Sequence, residues 1–81
     1  MQSTHVITSW IVREFLPDVH ESELEPDYDL LANGVIDSLA LLRVVDWITT
    51  EFDLPVDQLD LSPDNFRTVH NINALVSAAK S

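Results

Sequence analysis

Among the side chains able to do chemistry, Ser38 has the most informative surroundings. It lies in Asn33-Gly34-Val35-Ile36-Asp37-Ser38-Leu39, where a turn gives way to a long stretch of apolar residues at helical spacing. A hydroxyl at or beside the start of that helix sits among unpaired N–H groups and at the positive end of the macrodipole, and both favour an anion. A phosphate ester would be well placed there. Nucleophilic attack by a serine needs a base that is itself oriented by a third group. His5, His20 and His70 fall in three separate regions, and their spacing builds neither a triad nor a histidine metal site. Asp27 with Asp29, or Asp57 with Asp60 and Asp64, are acids of the type that binds calcium. The chain's single glycine is Gly34, however, and neither cluster fits an EF-hand loop. These acids read as a solvated surface, and no metal site is expected. Ser38 is thus better suited to being modified by another enzyme than to attacking a substrate itself. The plainer role is that Ser38, or Asp37 beside it, caps the helix and contributes about 1 kcal/mol.

Size and charge restrict what can position that hydroxyl. Eighty-one residues make one domain. Burial at that size barely offsets a chain entropy of roughly 1–2 kcal/mol per residue. With no cysteine there is no disulfide or thiolate metal site, so the 46% hydrophobic content must suffice alone. The net charge is −10, with Arg13, Arg43, Arg67 and Lys80 as the fixed cations. Such a surface repels phosphate backbones and anionic lipids, which argues against nucleic-acid and membrane partners and for partners with basic patches. No apolar run approaches the roughly 20 residues that span a bilayer, and the N-terminus lacks the layout of a signal peptide. The expectation is a soluble, cytoplasmic monomer.

The elements follow from apolar periodicity. Thr4 to Leu16 places Val6, Ile7, Trp10, Ile11 and Phe15 at helical spacing, with Thr4 as N-cap and Pro17 as terminator. Pro17 to Asp37 reads as a long acidic loop, pinned by Tyr28, Leu30, Leu31, Val35 and Ile36. The Asn33-Gly34 pair also resembles a hairpin turn, but the strongly helical stretch after it argues against one. Leu39 to Phe52 form the second helix. At about 100° per residue from Leu39, the residues Leu41, Val44, Val45, Ile48 and Phe52 fall between roughly 140° and 240°, the expected buried face. Leu39, Arg43, Asp46 and Thr50 lie opposite, with Leu42 and Trp47 at the margins; the two tryptophans read as core or edge aromatics. Ser62-Pro63 supplies an N-cap and a first-turn proline for a short helix to about Phe66. Thr68 caps a last helix with the stripe Val69, Ile72, Leu75 or Val76, and Ala79, and with Lys80 near its negative end. Three substantial helices and a short one result.

The stretch Asp29-Leu30-Leu31-Ala32-Asn33-Gly34-Val35-Ile36-Asp37-Ser38-Leu39 closely resembles the phosphopantetheine attachment region of acyl carrier proteins, with the G-x-x-D-S-L pattern intact. Phe66-Arg67-Thr68-Val69 resembles the lead into that family's last helix, and the likeness covers roughly residues 4 to 79. It implies an all-α, antiparallel four-helix bundle of acyl-carrier type with a long first loop, a single carrier domain over residues 1–81. It further implies that Ser38 receives 4′-phosphopantetheine from coenzyme A through a separate magnesium-dependent phosphopantetheinyl transferase. The thiol of that arm would hold acyl, aminoacyl or peptidyl cargo as a thioester. By similarity, Asp37 helps bind magnesium during loading and Leu39 contacts partner enzymes. A tethered arm raises local concentration and lets several enzymes work on cargo without releasing it.

One feature departs from the family pattern. Carriers of fatty acid synthesis typically bear several acids on the second helix, whereas here its outer side offers Ala40, Leu42, Arg43, Thr49 and Thr50, with Asp46 the main acid. Docking to activating, condensing and tailoring enzymes is therefore expected to rest on apolar contact around Leu39 and Leu42, with Arg43 and Asp46 as further partner contacts. That pattern is seen in some stand-alone carriers of polyketide or nonribosomal peptide pathways. The reading is a non-catalytic carrier. The alternatives are a small acidic interaction module without a prosthetic group, using Leu39, Leu42 and Trp47 as its patch, and a small hydrolase using Ser38. No identifiable base or oxyanion arrangement supports the hydrolase.

Overall fold

The three stretches with apolar residues at helical spacing are α-helices in the computed structural model, which describes residues 4–80 apart from the side chain of Lys80. Helix α1 spans Thr4–Phe15, α2 spans Ser38–Glu51 and α3 spans Val69–Lys80. Short 3₁₀ segments at Glu21–Glu23, Val56–Gln58 and Pro63–Phe66 punctuate the connections. No strand occurs among the described residues, so Asn33-Gly34 turns the chain without making a hairpin. No helix among them is long and apolar enough to cross a membrane.

Local chemistry sets the helix ends. Thr4 is the first described residue of α1, and Pro17 follows soon after the helix's last turn. Helix α2 closes in a Schellman arrangement. The Leu54 amide donates to the Thr49 carbonyl at 3.0 Å, Asp53 takes the left-handed position at φ 53°, and buried Leu54 packs beyond the end. Aspartate tolerates that conformation better than most side chains. At α3 the Thr68 hydroxyl accepts from the Asn71 amide at 3.0 Å, which is the expected cap. Pro63 opens its segment as expected, but that segment is a four-residue 3₁₀ turn and Ser62 does not cap it. The Ser62 hydroxyl donates instead to Asp60 Oδ1 at 2.6 Å, because a carboxylate is the stronger acceptor.

The core draws on every part of the chain. Helix α1 contributes Ile7, Ile11 and Val12; the first loop contributes Leu24, Leu30 and Ile36; α2 contributes Ala40, Val44 and Ile48. Leu54, Phe66 and the α3 stripe Val69, Ile72 and Val76 complete it, with Leu75 and Ala79 only packed against it. Three expectations are corrected here. Val6 is 40% exposed, since the buried side of α1 runs through Ile7, Thr8, Ile11 and Val12 and Val6 lies on its far side. Tyr28 is 38% exposed, and Leu24 does the pinning instead. Ala40, placed on the outer side of α2 by periodicity, is 9% exposed and belongs to the core, while Leu41, Val45 and Phe52 are only partly buried.

That last difference has a physical source in how α1 meets α2. Trp10 and Trp47 stack with ring centroids 4.6 Å apart and planes 11° from parallel. Phe15 meets Trp10 edge-on at 5.5 Å, and Phe52 meets Trp47 edge-on at 5.6 Å. The stack draws the Trp47 side of α2 inward, so the buried arc centres on Ala40, Val44 and Ile48, roughly 100° to 180° from Leu39. Arg43 pairs with Glu14 and lies over the Phe15 ring at 5.2 Å. Since Glu14 meets Arg43 while Trp10 meets Trp47, the two helices run antiparallel, and the head of α2 lies near the end of α1.

Candidate functional site

The head of α2 is assembled by the turn before it. Asp29 Oδ1 accepts from the Ala32 amide at 2.8 Å, and the Asp29 carbonyl accepts from the Asn33 amide at 3.1 Å and its side chain at 2.8 Å. The Leu30 carbonyl accepts from the amides of Val35 and Ile36 at 2.9 and 3.1 Å. Gly34 supplies the left-handed step at φ 73° that this reversal needs. Buried Leu30 and Ile36 fix the turn to the core.

Asp37 is the N-cap. Its Oδ1 accepts from the Ala40 amide at 2.8 Å, and its carbonyl accepts from the Leu41 amide at 2.8 Å. Ser38 is therefore the first helical residue and not the cap, and its side chain is exposed. The Ser38 and Leu39 amides belong to the first turn, which has no intrahelical acceptor, and they add to the positive field there. The arrangement offers an accessible hydroxyl beside a site for negative charge.

The outer face of α2 continues from that hydroxyl. Leu39 is 74% exposed and Leu42 is 66% exposed, three residues apart on one face. Asp46 lies one turn beyond Leu42 and is also exposed. Arg43 is exposed on the same side of α2, and Glu14 and the Phe15 ring engage its guanidinium.

The histidines do not gather at Ser38. His20 Nδ1 accepts from the Ser22 amide at 3.2 Å, and His5 Nδ1 lies 3.8 Å from Glu21 Oε1. His5 and His20 share an open groove between α1 and the Glu21–Glu23 segment, and His5 also lines a groove with Trp47 and Glu51. That position is at the pole of α2 opposite Ser38. His70 is exposed at the start of α3, where its amide donates to the Pro26 carbonyl at 3.0 Å. Among the described residues no three potential metal ligands come together.

A polar joint that sequence reasoning missed supports the turn. Arg67 donates to Asp29 Oδ2 at 3.0 Å and to Asp64 Oδ1 at 2.8 Å, and its carbonyl accepts from the Leu30 amide at 2.7 Å. The Ala32 amide first, and the Arg67 guanidinium with it, hold the Asp29 carboxyl below the usual carboxylate range. Asp64 and then Asp29 raise Arg67 above its ordinary value. Asp60 is lowered by the Ser62 hydroxyl and amide. One of four fixed cations among fourteen acids is bound to be paired. Its partner 38 residues away is invisible in a linear chain.

Two solved structures are similar to this chain over nearly its whole length. KstB-PCP, a peptidyl carrier protein solved in its apo form, is 43% identical, with 100% of this chain and 89% of that chain covered and a TM-score of 0.87. The solution structure of KstB-PCP in kosinostatin biosynthesis is 46% identical, with 98% of this chain and 89% of that chain covered and a TM-score of 0.73. No protein-family model and no curated protein sequence matches the chain.

Proposed function

This chain belongs to the carrier protein family, and from that premise we propose that Ser38 bears a 4′-phosphopantetheine arm carrying aminoacyl, peptidyl or acyl cargo in a natural-product pathway. The observation that carries the reading is the exposed Ser38 hydroxyl at the first helical position of α2, inside an intact G-x-x-D-S-L stretch. The likeness to a peptidyl carrier favours aminoacyl or peptidyl cargo. In the proposed four-helix carrier arrangement the Pro63–Phe66 segment takes the place of the short helix.

The residues at the head of α2 fit the group. A phosphodiester on Ser38 Oγ would lie beside the first-turn amides and the positive end of the helix, which offset its charge. When bound, the group supplies a flexible chain ending in a thiol, the point at which cargo is attached. Asp37 keeps α2 wound up to the modified residue through Oδ1, and its exposed carboxylate suits the magnesium role that the family resemblance implies. Leu39 and Leu42 present apolar area next to the tether, and burying either against a partner is worth about 1.5–3 kcal/mol at full burial. Asp46 gives that patch an acidic border, so the docking enzymes, the phosphopantetheinyl transferase and those that activate, condense or tailor cargo, would meet it with apolar surfaces edged by basic residues. The chain itself performs no catalysis in this reading.

Intact-mass analysis after incubation with coenzyme A, magnesium and a broad-specificity phosphopantetheinyl transferase tests it. Wild type should gain one phosphopantetheine and Ser38→Ala none. A wild-type chain that gains nothing, while another carrier in the same reaction is loaded, would leave the acidic interaction module standing in its place.

A further inference from the structure

We propose that Arg67 is a positioning residue for Ser38, holding the turn from Asp29 to Ile36 so that the chain enters α2 with its hydroxyl outward. The inference rests on the reading of Ser38 as the attachment point. Four amides of that turn, those of Ala32, Asn33, Val35 and Ile36, all end on Asp29 or Leu30. Arg67 grips both of those residues from outside. Its carbonyl takes the Leu30 amide at 2.7 Å, and its guanidinium takes Asp29 Oδ2 at 3.0 Å. The other arm of the guanidinium reaches Asp64 at 2.8 Å, which aims the side chain from the 3₁₀ segment just before it. A planar fork can hold two carboxylates at once, a geometry that a lysine ammonium on a flexible stem does not preset. Beyond Ile36 only Asp37 separates this framework from Ser38, so play in the turn passes directly to the attachment residue.

An exposed ion pair of this kind corresponds to an effect of about two- to fivefold in a local equilibrium. In Arg67→Ala, hydrogen exchange of the unloaded chain should therefore quicken by about that factor at Ala32, Asn33, Val35 and Ile36, while the α1 interior amides keep their wild-type rates. Asp29→Asn preserves an acceptor for the Ala32 amide and removes the charge, and it should act in the same direction. Loading kinetics should show a raised KM for the carrier as transferase substrate with kcat unchanged, and Arg67→Lys should lie between Arg67→Ala and wild type in both measurements. Unchanged exchange in the turn would overturn the proposal, as would acceleration spread evenly over the chain or a lysine variant no better than alanine. Exchange is read without loading, so a wild type that accepts no arm would overturn the Ser38 reading and leave the turn result to be judged by itself.

Discussion

Between α1 and α2, four aromatic rings in sequence, Phe15, Trp10, Trp47 and Phe52, carry the contact. Between the first loop and the start of α3, the contact is carried by Arg67, two carboxylates and backbone amides. The two regions hold the molecule by different physics. Ring stacking buries area, has no fixed partner atoms and is indifferent to salt and mild acid. Hydrogen bonds and ion pairs at the loop are directional and individually small, and they set where a backbone atom sits more than how stable the fold is. Ser38, the proposed tether point, lies where the two regions meet, on a helix anchored by the first and after a turn held by the second.

The largest effect is expected at the aromatic face. Trp10→Ala should lower stability by about 2–4 kcal/mol, below the full range for a buried tryptophan because Trp10 is half-buried. Urea melts should show a lower midpoint at unchanged m-value. A double-mutant cycle with Trp47→Ala should return a coupling of about 0.5–1.5 kcal/mol. Where the regions meet, Asp37→Ala should cost about 1 kcal/mol and Asp37→Asn much less, because asparagine caps nearly as well. If both variants melt alike, the cap is not what winds the head of α2.

The smallest effect belongs to the polar joint and appears in pH. The Ala32 amide and the Arg67 guanidinium lower the Asp29 carboxyl in the folded chain, and Ser62 does the same for Asp60. The unfolded chain therefore takes up those protons first as pH falls. Their contribution is complete above the ordinary carboxylate value of about 4 and is lost as pH drops through the lower folded values. Asp29→Asn should lower stability at neutral pH and flatten its fall in acid, so that the difference from wild type vanishes once pH has dropped through the folded value, whereas the Trp10 deficit should stay constant across the same range.

The part of the fold written in apolar spacing was legible in the linear chain. Pro17, the Thr68 cap, the α3 stripe and the pins Leu30 and Ile36 are local or strongly periodic signals, and the structure has them. The position of Ser38 beside a helix start was equally local. What escaped depends on contacts distant in sequence. Ala40 is too small to weigh in a periodicity reading, and only the Trp10–Trp47 stack turns it inward. Arg43 is outward as a helical wheel suggests, but its engagement by Glu14 and the Phe15 ring cannot be read from one helix. Ser62 looks like a cap until Asp60 is seen to take its hydroxyl. The acids read as an undifferentiated solvated surface, yet Asp29 and Asp64 are bound to Arg67, and nothing in the order of residues says which carboxylates a cation will choose.

The most direct test of the tether is to locate the added mass. The chain has seven serines, so peptide fragmentation of the loaded protein distinguishes them all. Phosphopantetheine is expected on the peptide containing Asp37-Ser38-Leu39, at the Ser38 oxygen, with the remaining six serines unmodified. Modification at another serine, or a fully folded chain that stays unmodified at Ser38 under conditions that load a known carrier, would contradict it.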